Sequence, residues 1–159
     1  MSKILIFGNS GSGKSTLAKK ICQTSGLAHL DLDNLAWKAS NPPQRKEIKE
    51  SEKEILGFIQ SHENWVIEGC YTDLLELLSE HADEIIYLNL PVELCIKNAK
   101  SRPWEPHKYA TKEAQDANLA MLIDWISQYT ERQDTFSKQA HQKFFTEYTG
   151  KKSMIIDNQ

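Results

Sequence analysis

The chain has few of the features that anchor or cross-link a protein. Its 159 residues contain three cysteines, Cys22, Cys70 and Cys95, which share no metal-binding or disulfide spacing and so suit a reducing compartment. No apolar run reaches the length of a membrane span, and the apolar stretch near the start is too short for a signal peptide. A formal charge of -3 gives no general attraction for nucleic acid or anionic lipid. We therefore expect a cytoplasmic protein with no nucleic-acid or membrane partner.

The most specific motif lies at residues 8–15, which read Gly-Asn-Ser-Gly-Ser-Gly-Lys-Ser. They match the phosphate-loop pattern of a glycine, four residues and then Gly-Lys-Ser or Gly-Lys-Thr. An apolar run at 3–7 precedes the loop and helical spacing follows it at 15–21, so the loop joins a buried strand to a helix. Amide hydrogens that turn towards one anion at a helix N-terminus form a phosphate site. The pattern predicts a triphosphate cradle made by Gly8, Asn9, Ser10, Gly11, Ser12, Gly13, Lys14, Ser15 and Thr16.

Strand-like runs alternate with helical stretches along the chain, which is typical of parallel βαβ units in an α/β fold. With 40% hydrophobic residues, a chain of this length forms one core, so we expect a single domain over 1–159, as a monomer or a weak homodimer. We predict strands at 3–7, 28–33, 65–69, 84–90 and 151–156, and helices at 15–21, 44–62, 74–81, 92–102 and 112–148. Two prolines at 101–109 predict a surface loop.

Four segments together resemble the small P-loop kinases, such as adenylate kinase and shikimate kinase. They are the phosphate loop, Asp31-Leu32-Asp33, Glu68-Gly69 and Ile86-Tyr87-Leu88-Asn89-Leu90-Pro91. Residues 29–37 and 65–71 resemble in particular the adenylate-kinase-like topology modulation proteins. The resemblance implies the P-loop NTPase fold, a five-stranded parallel sheet of order 2-3-1-4-5 with helices on both faces. It also implies an acceptor-binding segment at about 34–62 and a lid at about 102–112, with the active site at the carboxyl ends of the strands, where ligands bind in open α/β sheets.

Phosphate and metal roles follow from the motif and the resemblance. We expect Lys14 to reach the β- and γ-phosphates and the Ser15 hydroxyl to ligate Mg²⁺. Asp31 and Asp33 lie two apart on a predicted strand, so both project from one face. The resemblance implies that Asp31 holds Mg²⁺ directly or through water and that Glu68 organises its water. The alternatives are a solvated Asp31 and a Glu68 bonded to loop amides.

Asp33 bears on the chemistry of the acceptor. An alcohol gains about 10² to 10⁴ in rate from a base, whereas a monophosphate is already ionised, so an aspartate that orients or deprotonates the acceptor favours a hydroxyl acceptor. The absence of an arginine just after Gly69, where adenylate kinases usually have one, also disfavours a monophosphate. The alternative makes Asp33 the N-cap of a short helix at 34–37. Trp37 and Arg45 fall in the segment that closes over the acceptor in this family; a core tryptophan and a solvated arginine are the alternatives.

Arginine is scarce, with only Arg45, Arg102 and Arg132 in the chain. The resemblance places Arg102 at the mouth of the lid and Arg132 in the Arg-x-Asp sequence that follows it. The planar guanidinium binds phosphate oxygens bidentately, which suits a lid that closes over a transferring group. Surface ion pairing is the alternative for both. His107 and Lys108 either cover phosphate when the lid closes or serve solubility.

These features favour a kinase that uses ATP and Mg²⁺ to phosphorylate a small-molecule acceptor. A GTPase is disfavoured because the chain has no Asn-Lys-x-Asp tetrapeptide and no aspartate followed by glycine three residues later. The alternative from another class is a nucleotide-switched regulator or weak ATPase that acts through a protein partner.

Overall fold

The computed structural model describes residues 2–38, 44–106 and 108–157. The strands in these residues are β1 (Lys3–Gly8), β2 (Ala28–Asp31), β3 (Trp37–Lys38), β4 (Gln44–Arg45), β5 (Trp65–Gly69), β6 (Glu84–Leu88) and β7 (Lys151–Ile155). The helices are α1 (Lys14–Ser25), α2 (Asp33–Ala36), α3 (Ile48–Ser61), α4 (Thr72–Leu78), α5 (Val92–Lys100), α6 (Lys112–Ser127) and α7 (Lys138–Glu147), with a 3₁₀ turn at Ser79–His81.

Five strands form one parallel sheet in the order β2-β5-β1-β6-β7. Numbered along the chain among the sheet strands alone, this is 2-3-1-4-5, so the predicted fold class and strand order are confirmed. Asp31 at the end of β2 pairs in register with Glu68 of β5, which in turn lies beside Ile6 of β1. Because the strands are parallel, their carboxyl ends meet at one edge. The phosphate loop, Asp31 and Glu68 are therefore neighbours.

The central strand explains the helices on both faces. Leu5 and Phe7 of β1 are fully buried in one cluster with α3, α4 and α7, whereas Ile4 and Ile6 are buried in a second cluster with Ala18 of α1. Alternate residues of a strand point to opposite faces, so an unbroken apolar run requires cover on both. The predicted placement of helices on both sides of the sheet is confirmed.

Two predicted boundaries near the acceptor segment are wrong. The strand predicted over 28–33 ends at Asp31, and Asp33 begins helix α2 because the Asp31 Oδ1 accepts a hydrogen bond from the Asp33 backbone N–H at 2.9 Å. The helix predicted over 44–62 begins only at Ile48, since Gln44–Arg45 pairs antiparallel with Trp37–Lys38 in a small hairpin. Residues 39–43 of the predicted acceptor segment lie outside the described residues.

The helix predicted over 112–148 is two helices, α6 and α7. Residues 128–137 separate them, and Ser137 caps α7 by accepting a hydrogen bond from the Ala140 N–H at 3.0 Å. The loop predicted as the lid connects α5 to α6, and its role as a lid stays a prediction. Across the described ranges, no helix is both long enough and apolar enough to span a membrane.

Candidate active site

The phosphate loop bends where only glycine fits. Gly11 has a φ of +78°, and a Cβ atom there would lie 2.4 Å from the Cys95 carbonyl oxygen. Gly13, which precedes the first residue of α1, has a φ of +92°. L-residues with side chains rarely adopt this left-handed region. The glycines of the motif therefore set the path of the backbone into the helix N-terminus.

Two buried or half-buried amides fix the loop to the helices that flank the predicted lid. Asn9 donates from Nδ2 to the Ile126 carbonyl at the end of α6, 3.2 Å away, and Asn98 of α5 donates to the Gly11 carbonyl at 2.8 Å. Asn98 has no motif around it, so this contact could not be predicted from the residues near it. The phosphate loop thus contacts both α5 and α6, the helices that precede and follow the predicted lid in the chain.

Lys14, Ser15 and Glu68 converge below the loop. The Lys14 ammonium donates to the Asn9 carbonyl at 2.8 Å, and the Ser15 hydroxyl donates to Glu68 Oε2 at 2.5 Å. His29 Nε2 lies 3.0 Å from the same Glu68 oxygen. Burial works to raise the pKa of Glu68, but the hydrogen bonds from His29 and Ser15 and the charge of Lys14 lower the pKa below its ordinary value. Glu68 is therefore a buried anion, and Ser15, whose proton points to it, keeps its lone pairs for a cation.

Asp31 and Asp33 meet around a lysine from the predicted lid. Lys108 Nζ lies 2.9 Å from Asp33 Oδ2, 3.6 Å from Asp31 Oδ2 and 3.6 Å from Glu105 Oε2. Burial and the nearby charges of Glu68 and Asp33 raise the pKa of Asp31. Burial also acts to raise the pKa of Asp33, but Lys108, the Tyr71 hydroxyl and Lys14 lower it overall. One carboxylate is thus held firmly ionised beside another that accepts a proton more readily.

Tyr71 and Trp37 complete the surroundings of Asp33. The Tyr71 hydroxyl donates to Asp33 Oδ1, and Trp37 Nε1 donates to the Tyr71 oxygen at 2.8 Å. Trp37 is 38% exposed, so it is a wall of this region and not a core residue. Tyr71 was not among the predicted site residues, although it follows the glycine that ends β5 by two positions.

Arg45 lies beside the same tyrosine. Its Nη2 contacts the two carboxylate oxygens of Asp73 at 3.2 and 3.4 Å, and its guanidinium carbon lies 4.8 Å from the centre of the Tyr71 ring. The alternative of a solvated arginine is wrong, because the side chain is only 23% exposed. Arg45, Trp37 and Asp33 are therefore brought together.

The two predicted lid arginines do not contact the aspartates. Arg102 Nη1 pairs with Glu105 Oε1 at 3.2 Å. Arg132 stacks 3.3 Å from the centre of the Trp125 ring, donates to the Trp125 carbonyl at 3.0 Å and lies 3.7 Å from Asp134. Its Nη1 is buried and has no hydrogen-bond partner among the described residues. Among the described residues of the predicted lid, Lys108 lies over Asp31 and Asp33. His107 lies outside the described residues.

A buried chain of hydrogen bonds supports the turn after β5. Tyr87 and Tyr129 share a 2.7 Å hydrogen bond, Tyr129 lies 2.7 Å from His141 Nδ1, and His141 Nε2 lies 2.9 Å from the Cys70 carbonyl. Burial lowers the pKa of His141 to about 4, so the ring is neutral at pH 7. A neutral ring that donates from Nε2 to the carbonyl accepts from Tyr129 at Nδ1. This series of hydrogen bonds fixes the backbone carbonyl of Cys70, which lies between Glu68 and Tyr71 in the sequence.

The acidic side chains do not form a metal cage by themselves. No group of three or more His, Cys, Asp or Glu placed to hold a metal ion occurs in 2–38, 44–106 and 108–157. In proteins Mg²⁺ is commonly held by one or two carboxylates together with substrate phosphates and water molecules. The predicted metal roles of Asp31 and Glu68 stay predictions.

No protein-family model and no curated protein matches the chain. Among solved structures, the chain is similar to shikimate kinase from Acinetobacter baumannii in complex with shikimate. The TM-score is 0.50 and the sequence identity 16%, and the match covers 100% of this chain and 86% of that chain. A likeness at this identity shows a shared fold, and the predicted P-loop NTPase fold is confirmed.

Proposed function

We propose that this protein is an ATP- and Mg²⁺-dependent phosphotransferase that moves the γ-phosphoryl group of ATP to a hydroxyl group of a small molecule. The observation that carries the proposal is the meeting, at one sheet edge, of a glycine-constrained phosphate loop with Asp33. Lys14 is close enough to Asp33 and Glu68 for its charge to lower the pKa of both carboxyl groups. Among proteins of this fold, the sequences at 29–37 and 65–71 support a relationship to the topology modulation proteins.

On the nucleotide side, residues 8–16 would surround the phosphates and Lys14 would turn from the Asn9 carbonyl to the β- and γ-phosphates. Ser15 would hold Mg²⁺ directly, with Asp31 and Glu68 acting through its water molecules. The donor set fits, because Ser15 already gives its proton to Glu68 and the two carboxylates add negative charge beside it. A bound Mg²⁺ would neutralise charge on the phosphate oxygens during transfer.

On the acceptor side, Asp33 would orient the attacking hydroxyl. The acceptor oxygen forms a bond to the γ-phosphorus while the bond from that phosphorus to the β,γ-bridging oxygen breaks, and ADP leaves with the electron pair. The hydroxyl proton passes to Asp33 as bond formation makes it acidic, and then to solvent. Because the pKa of Asp33 is lowered, orientation contributes more than early proton removal.

The lid cations would close over the transferring group. Arg102 and Arg132 are proposed to reach phosphate oxygens after leaving Glu105 and Asp134, and the unpartnered Nη1 of Arg132 supports a role in binding an oxygen ligand. Kinase activity also agrees with the name of the structurally similar protein, a shikimate kinase that was solved with shikimate.

The decisive experiment measures ADP release from Mg·ATP in the presence of polyols, sugar acids, shikimate-like alcohols and nucleoside monophosphates, with phosphorus NMR of the products. We expect an acceptor-dependent increase in ADP and a phosphate ester of an alcohol. Lys14→Ala should abolish this turnover, whereas Lys19→Ala, an exposed lysine on the same helix, should not. Slow hydrolysis that no acceptor changes would contradict the kinase and favour a nucleotide-switched regulator.

A further inference from the structure

Asp73 neutralises the charge of Arg45 beside Tyr71 and Trp37. Both oxygens of the Asp73 carboxylate lie within 3.4 Å of Arg45 Nη2, and the two side chains are only 23% and 26% exposed. Asp73 is itself held in place, because its backbone N–H donates to the Thr135 hydroxyl at 2.8 Å and its Oδ1 accepts from the Leu74 N–H at 2.8 Å. The pair is built into the start of α4 and is not a chance surface contact.

Two other cations in this region, Lys108 and Arg102, are also paired with carboxylates. Lys108 lies among Asp31, Asp33 and Glu105, and Arg102 pairs with Glu105. Among the described residues, the four carboxylates of this region are therefore as numerous as its cations: Asp31, Asp33, Asp73 and Glu105 against Lys14, Arg45, Arg102 and Lys108.

The balance of carboxylates and cations around Asp33 and Arg45 determines which acceptors can bind there. A carboxylate or phosphate group would have to displace Asp73 from Arg45 and would then lie beside the charges of Asp73 and Asp33, which is unfavourable at short range. A neutral hydroxyl group donates to those carboxylates and accepts from the Arg45 Nε–H. That N–H is buried and has no hydrogen-bond partner among the described residues, so a ligand oxygen would satisfy it.

We infer that the acceptor is a neutral polyhydroxylated molecule, such as a polyol, sugar or nucleoside, and that Asp73 determines this preference by neutralising Arg45. The inference rests on the proposed function, because it names the substrate class of the same site. Arg45 then serves as a flat, charge-compensated donor stacked on Tyr71, and Trp37 forms the adjoining wall.

The test compares neutral and anionic members of matched pairs: glycerol with glycerate, glucose with gluconate, and adenosine with its monophosphate. Binding is measured by calorimetry on the full chain loaded with Mg·ADP, and phosphoryl transfer is measured separately with Mg·ATP. At least one neutral compound should bind about tenfold or more tightly than its anionic partner. Tighter binding by the anionic members, or no binding by any member at about 10 mM, would overturn the inference.

The Asp73→Asn variant tests whether Asp73 causes the preference for neutral acceptors. Asparagine keeps the shape and the oxygen that accepts from the Leu74 N–H but removes the charge, so the neutral-over-anionic preference should fall about tenfold as Arg45 becomes available to anions. Asp83→Asn is the matched control, because it removes one exposed negative charge just before β6, at the opposite edge of the sheet. An equal preference in the two variants would overturn the role of Asp73. Neutral ligands that bind with the expected preference but are never phosphorylated would contradict the proposed function and leave the binding preference standing.

Discussion

The phosphate loop and the predicted lid are held by different kinds of interaction. Backbone geometry and buried amides fix the loop, through Gly11 against Cys95 and through Asn9 and Asn98. Ion pairs between partly exposed side chains, Arg102 with Glu105 and Lys108 with Asp33, hold the predicted lid. Exposed or partly exposed pairs contribute little each and exchange readily. We therefore expect the phosphate loop to be preformed and the predicted lid to rearrange more readily.

The largest effect is expected from a substitution that disrupts the phosphate loop. Gly11→Ala places a Cβ against the Cys95 carbonyl at a left-handed backbone position, and strain with overpacking together cost about 4 kcal/mol. We expect urea unfolding to show the lost stability, or calorimetry to show lost nucleotide binding if residues 9–14 move to relieve the clash. Gly57→Ala on α3, where nothing lies within 4 Å, should instead stabilise the protein by about 0.5–1 kcal/mol. A Gly11→Ala protein with native stability and native nucleotide affinity would remove the distinction between the two regions.

A smaller effect concerns the buried support of the turn after β5. The pKa of His141 is lowered from 6.5 to about 4 by burial, so its neutral form stabilises the folded protein above pH 6.5 and that contribution is lost as pH falls towards 4. About 3 kcal/mol of unfolding free energy is at stake. Urea unfolding at pH 7, 6 and 5 should show a steeper loss for the native chain than for His141→Gln, whereas His62→Gln, at an exposed position, should match the native chain. Parallel pH profiles for the native and His141→Gln proteins would show that this histidine titrates normally.

The smallest effect is expected from a substitution that weakens the contacts of the predicted lid only. Lys108→Ala removes the cation among three carboxylates. We expect the free energy required to open the predicted lid to fall by about 1–2 kcal/mol. Amide hydrogens of residues 101–111 should then exchange about 5- to 30-fold faster. Lys112→Ala breaks a pair whose members are 67% and 59% exposed and should leave exchange unchanged. Equal exchange in the Lys108→Ala and native proteins would mean that Lys108 does not hold the lid.

The sheet and the loop could be predicted because their signals are local. Strands β1 and β5 are apolar runs buried on both faces, and the phosphate loop carries its glycines within eight residues. The position of Asp31 and Glu68 followed from parallel strands ending at one edge. These features depend on periodicity and spacing, which the sequence displays directly.

The acceptor side could not be predicted to the same depth, because tertiary contacts decide it. Asp33 leaves the strand through a turn that Asp31 caps, and the Trp37–Arg45 hairpin replaces the first turn of a helix whose spacing looked continuous. Lys108 lies 75 residues from Asp33 in a loop without periodicity. His29 offered one local signal, since it alternates with Asp31 on β2 and so shares its face.

The central claim is that residues 8–16 form a preorganised site for a nucleoside triphosphate. Calorimetric titration of the folded protein with ATP in the presence of Mg²⁺ tests it most directly, with Lys14→Ala as the paired variant. We expect saturable, magnesium-dependent binding by the native chain and a loss of that binding in Lys14→Ala with an unchanged unfolding transition. Absence of nucleotide binding at millimolar concentrations by the folded native chain, or equal binding by both proteins, would contradict the account.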